Sequence, residues 1–125
     1  MKVLIAAIAI SVSVIPAAAQ WEPHPEVLVI DAQGAGSWAL TCQLQDKKGA
    51  TVSQELRGTG KKPQRLTMLD ARGGQCSYQA APDQPLTLQM RRGLYACSLP
   101  TATRKGCEQK VEAGASGQFD IRWLG

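Results

Sequence analysis

The chain has no asparagine, a single histidine and a single phenylalanine among its 125 residues. Without asparagine there is no acceptor for N-linked glycosylation. The lone imidazole, His24, lies between Pro23 and Pro25, in a stretch (QWEPHPE, 20–26) that its prolines mark as an extended N-terminal arm. A general base must be held at a fixed angle to its partners, so His24 is expected to be a solvated side chain rather than part of a serine–histidine–acid triad. Cysteine is sparse too: Cys42, Cys76, Cys97 and Cys107 show no C-x-x-C spacing and have no histidine near them. That excludes the usual zinc frameworks, and neither a metal nor a cofactor is expected. "GTGKK" at 58–62 lacks phosphate-loop spacing, and Pro63 stands where the following helix would begin.

A long apolar run occurs once, at the start. Lys2, the run from Val3 to Ile15, Pro16 and the small residues Ala17–Ala19 have the order of a secretory signal peptide, expected to cover residues 1–19. The run is shorter than the ~20 residues a membrane-spanning helix needs. No cysteine follows it to carry a lipid, and no later segment is long and apolar enough to span a bilayer. The mature chain is therefore expected to be soluble and secreted or periplasmic. About a hundred residues then remain, enough for one domain and too few for two, assigned to residues 27–125.

In an oxidising compartment the four cysteines read as two disulfides, each contributing about 2–4 kcal/mol. Three pairings exist. The local one, Cys42–Cys76 with Cys97–Cys107, is favoured. The rival Cys42–Cys97, with Tyr95 two residues before the second cysteine, would have the layout of an immunoglobulin-type core bridge. No tryptophan follows Cys42, however; Trp38 precedes it.

Period-two alternation is the main structural signal. In SWALTCQL (37–44) Trp38, Leu40, Cys42 and Leu44 share a face. QCSYQA (75–80), PLTLQM (85–90) and LYACSL (94–99) repeat the pattern, and GQFDIRWL (117–124) places Phe119, Ile121 and Trp123 inward. Weaker candidates are 26–31, 50–57 and 64–69. On this reading Cys42, Cys76 and Cys97 face the core, Cys107 falls outside any strand, and KGCEQKVEAGA (105–115) holds one helical turn at most. Glycine, proline and aspartate clusters separate the segments. The predicted fold is all-β: a small antiparallel sandwich or barrel of seven to eight short strands, stapled by two disulfides.

The formal charge of +4 is a mild basic excess, and no nucleic-acid partner is expected. The excess is concentrated in pairs at predicted turns and strand ends: Lys47–Lys48, Lys61–Lys62 with Arg65 nearby, Arg91–Arg92 and Arg104–Lys105. Such pairs keep a small β protein soluble and its edges unpaired. Brought together, they would form a surface for an anionic glycan, a lipid head group or an acidic protein partner. Trp21 on the arm is a further candidate contact. No catalytic residue is assigned, since Asp31, Asp46, Asp70, Asp83 and Asp120 are not paired by spacing. The leading expectation is an exported, non-catalytic binding or accessory module whose partner is an envelope protein, a protease or an anionic glycan. The alternatives are a secreted protease inhibitor that offers Arg104 or Lys105 from a Cys97–Cys107 loop, and a small carboxylate-dependent hydrolase.

Overall fold

The structure, a computed structural model, describes residues 27–125. The expected signal segment and the arm, with Trp21 and His24, lie outside the described residues. The described residues form nine strands: β1 (Val27–Gln33), β2 (Ala39–Gln45), β3 (Thr51–Arg57), β4 (Gln64–Leu69), β5 (Gly73–Gln79), β6 (Leu86–Arg91), β7 (Thr101–Ala102), β8 (Gly106–Val111) and β9 (Ser116–Arg122). They form two antiparallel sheets, ordered β4-β1-β6-β8-β7 and β3-β2-β5-β9, stacked as a sandwich. No helix occurs among the described residues.

The alternation that defines the strands also builds the core. Trp38, Leu40, Cys42 and Leu44 are buried, as are Leu86, Leu88 and Met90 from the facing sheet, and Phe119 and Ile121 from β9. Leu28, Ile30 and Leu66 complete the inner face of the five-stranded sheet. Burying such side chains contributes about 1.5–3 kcal/mol each. The Trp38 indole donates to the Gly34 carbonyl (3.0 Å) and packs so closely on Gly58 that a β-carbon there would overlap its ring.

Both disulfides follow the local pairing. Cys42–Cys76 joins directly opposed residues of β2 and β5, and Cys97–Cys107 links the segment after β6 to β8.

Two segments depart from the sequence reading. LYACSL is not a strand: Tyr95 makes an isolated bridge to Trp123, and although Tyr95 and Leu99 are buried, Cys97 is exposed. Its peptide groups serve another purpose, since Ala96 N–H donates to the Arg122 carbonyl (2.9 Å) and Leu124 N–H to that of Leu94 (2.7 Å), covering the free edge of β9. GCEQKV (106–111), which includes Cys107, is strand β8 rather than a turn of helix, and Cys107 is buried within it. Its inner position Gln109 is polar, which hides the alternation, and its side chain donates across the sandwich to the Tyr78 hydroxyl (3.1 Å).

Antiparallel pairing assigns every turn to one of two ends. At one end the β2–β3 turn, the β4–β5 turn, the segment after β6, the β7–β8 turn and the exit of β9 come together with the start of β1. Backbone bonds confirm the alignment: Arg72 N–H to the Gln45 carbonyl and Arg92 N–H to the Lys105 carbonyl, both 2.7 Å. The β1–β2, β3–β4, β5–β6 and β8–β9 connections occupy the opposite end.

Candidate functional site

Three of the four basic pairs share the first end. In the β2–β3 turn, the Asp46 carboxylate accepts from the Lys48 and Ala50 N–H groups (2.8 and 3.0 Å). Aspartate favours turns for this local bonding, and here it throws Lys47 and Lys48 outward. Lys47 Nζ lies 3.3 Å from Asp70 in the neighbouring turn, while Lys48 is exposed. Arg91 and Arg92 leave the end of β6 exposed, and Arg92 Nη2 donates to the Thr103 carbonyl (3.2 Å). Arg104 and Lys105 form the tip of the β7–β8 hairpin. Lys61–Lys62, in the β3–β4 connection, belongs to the opposite end, so the four pairs do not make one patch.

The hairpin answers what the stapled loop is. Its turn is closed by Thr103 N–H to the Gly106 carbonyl (2.9 Å) and by Gly106 N–H to Thr103 Oγ1 (3.1 Å). Glycine is required at 106 because a β-carbon would run into the Met90 carbonyl oxygen. That close approach lays the hairpin against β6 and brings Arg104 and Lys105 beside Arg91.

Arg72 and Arg122, which drew no attention in the sequence, extend the basic end. The Arg72 guanidinium carbon lies 3.7 Å from the centroid of the Trp123 ring, a cation–π geometry. Arg72 Nη1 and Trp123 Nε1 are buried and find no hydrogen-bond partner among the described residues. Against these cations the described turns at this end carry Asp46 and Asp70.

An open cleft of about 440 Å³ runs from this end onto the outer face of the five-stranded sheet. Its floor is one transverse row, set by register: Arg65 on β4, Asp31 on β1, Gln89 on β6 and Glu108 on β8. Arg65 holds Asp31 through both carboxylate oxygens, Nε to Oδ1 at 2.7 Å and Nη2 to Oδ2 at 3.3 Å. That hydrogen bonding, and secondarily the carboxylate charge, raises the Arg65 guanidinium above its ordinary pKa. Gln89 Nε2 donates to Glu108 Oε1 at 3.0 Å. Arg91, Arg104 and Lys105 line the rest of the cleft and make no ion pair with any described residue. Arg65 thus belongs to this row and not to the Lys61–Lys62 cluster beside it in the sequence.

Carboxylates elsewhere are dispersed. Asp46 closes a turn, Asp70 meets Lys47, and Asp120 accepts weakly from Gln75 (3.4 Å). Asp31 and Glu108 share the cleft, but Gln89 stands between them and each already holds a partner. Among the described residues no three histidine, cysteine, aspartate or glutamate side chains converge on a metal-sized site, and no helix is long and apolar enough to cross a membrane.

The row could not be found in the sequence because its members are 34 and 19 residues apart in each bonded pair, and their side chains carry no motif. No protein-family model matches the chain, and neither the curated proteins nor the solved structures yield a match, so its function has to be read from this geometry.

Proposed function

We propose that the protein is a non-catalytic binding or accessory module of the periplasm or extracellular space that engages an anionic partner through its basic end. One observation carries this reading: the fold gathers Lys47–Lys48, Arg91–Arg92 and Arg104–Lys105 from three separate turns, and among the described residues Arg91, Arg104 and Lys105 make no ion pair. Like charges held together raise the local potential and draw anionic surfaces. The two disulfides are consistent with an oxidising compartment.

The test uses two charge reversals of equal size at opposite ends. Lys61→Glu with Lys62→Glu and Arg91→Glu with Arg92→Glu alter net charge identically. Retention on a carboxylated polymer, followed through a salt gradient spanning the ~10 Å screening regime near 0.1 M, should collapse for the second variant and barely change for the first. Equal losses would sink the proposal.

The inhibitor reading draws support from Arg104–Lys105 at the tip of a stapled hairpin. A protease that reads an extended segment would have to open the two hydrogen bonds that close this turn. Titrating a trypsin-like protease with the wild type and with Arg104→Ala plus Lys105→Ala tests it, equal potency removing the idea.

A further inference from the structure

The cleft beside the hairpin differs from the rest of the basic end, because it joins cations that have no ion pair among the described residues to an ordered row of hydrogen-bonding groups. Its volume, about 440 Å³, falls within the ~300–1,000 Å³ of small-molecule sites. Resting on the reading that the basic end binds an anionic partner, we propose that this cleft is a site for an acidic oligosaccharide. The carboxylate of one sugar unit would meet Arg91, Arg104 and Lys105, and its hydroxyls would meet Asp31, Gln89 and Glu108.

The assignment follows from what each group has left to give. Arg91, Arg104 and Lys105 form no ion pair with described residues, so they favour a ligand with negative charge. Arginine in particular matches a planar carboxylate through paired donors. The floor asks for the opposite. Asp31 uses both oxygens on Arg65 and Glu108 uses Oε1 on Gln89, and a carboxylate retains lone pairs for further donors. These oxygens repel a second anion but accept from hydroxyls. Gln89 adds a carbonyl oxygen to the same surface. A ligand with one anionic group flanked by hydroxyls satisfies both halves. A run of glutamates or phosphates would press charge onto Asp31 and Glu108.

The row is also preorganised. Arg65 grips Asp31 in a two-point pair and Gln89 fixes Glu108, so the floor needs little ordering when a ligand arrives. The closed hairpin turn fixes the backbone from which Arg104 and Lys105 project.

Three probes test the proposal by titration calorimetry on the folded, oxidised chain: a linear tri-uronate, the same trisaccharide with its carboxyls reduced to alcohols, and a hexaglutamate peptide. The tri-uronate should bind, with the neutral sugar and the Arg91→Gln plus Arg104→Gln variant each about tenfold weaker or worse, the cost of a lost charge-assisted bond. Glu108→Gln gives the decisive sign. As a hydroxyl acceptor, Glu108 should be missed, and tri-uronate affinity falls several-fold. As a mere repelling charge, it should not, and affinity rises. Unfolding midpoints within a few degrees of wild type establish that the variants are folded, and Lys105→Gln provides a second, exposed position. Hexaglutamate binding tighter than tri-uronate, or affinity that rises in Glu108→Gln, overturns the oligosaccharide while leaving the basic-end reading in place. If no probe binds and the carboxylated-polymer test above also fails, both are wrong.

Discussion

Cys97 lies at the surface while its partner Cys107 is buried on β8, so the Cys97–Cys107 disulfide can be approached from one side only. Cys42 and Cys76, directly opposed on β2 and β5, are both fully buried in the core. Thiol–disulfide exchange needs a thiolate to reach one sulfur. Under native conditions a mild reductant should therefore open Cys97–Cys107 first and leave Cys42–Cys76 intact until the chain unfolds. Alkylation followed by mass mapping checks the order. Label appearing first on Cys42 or Cys76 would contradict it.

Opening that bond has a further consequence, because the residues before it shield the edge of β9. The Ala96 and Leu124 N–H groups bond across this seam, and Ser98 Oγ donates to the Asp120 carbonyl. Replacing both Cys97 and Cys107 with serine should cost about 3 kcal/mol, the loop-closure value for a short loop. Hydrogen exchange at Ala96 and Leu124 should rise by more than this global loss accounts for. Uniform acceleration over the whole molecule would show that the bond does not hold the seam.

The Tyr95 hydroxyl donates to the Ala71 carbonyl at 2.7 Å in a buried setting, tying the segment after β6 to the β4–β5 turn. Phenylalanine keeps the ring and removes the donor. Tyr95→Phe should destabilise by about 1–3 kcal/mol, the penalty for leaving a buried polar group unsatisfied, read from the denaturant midpoint at unchanged slope. A change below a few tenths would mean that the carbonyl finds another donor.

How far the sequence revealed all this depends on whether a residue's role was local. Leu40, Cys42 and Leu44 declared their face because neighbours at every second position were also apolar. β8 was missed because Gln109 takes an inner position to reach Tyr78, a partner 31 residues away. LYACSL misled in the opposite sense: its alternation is real for Tyr95 and Leu99, but the chain there borrows pairing from β9 and turns Cys97 outward. The basic pairs were visible as pairs. Which of them would meet was decided by β6 lying between β1 and β8, a non-local pairing that nearby residues do not encode. For the same reason the Arg65–Asp31–Gln89–Glu108 row existed in the sequence only as four ordinary polar residues.

Gly106 offers the sharpest check on how the hairpin sits against β6. Besides the Met90 carbonyl oxygen, a β-carbon there would come within 2.9 Å of the Arg92 nitrogen, whose N–H bonds the Lys105 carbonyl. Relief requires β6 and β8 to part where that bond forms, and this carries Arg104 and Lys105 away from Arg91. Gly106→Ala should therefore cost about 1–3 kcal/mol, as overpacking commonly does, lowering the unfolding midpoint by roughly 4–8 °C per kcal/mol in a domain of this size. Gly60 is the natural control, since a β-carbon there meets nothing within 4 Å and its φ is not among the positive ones. Gly60→Ala should be neutral or stabilising by up to about 1 kcal/mol through the unfolded chain. If the two alanines shift the midpoint equally, the hairpin does not lie against β6 as described, and the cleft loses the wall that carries Arg104 and Lys105.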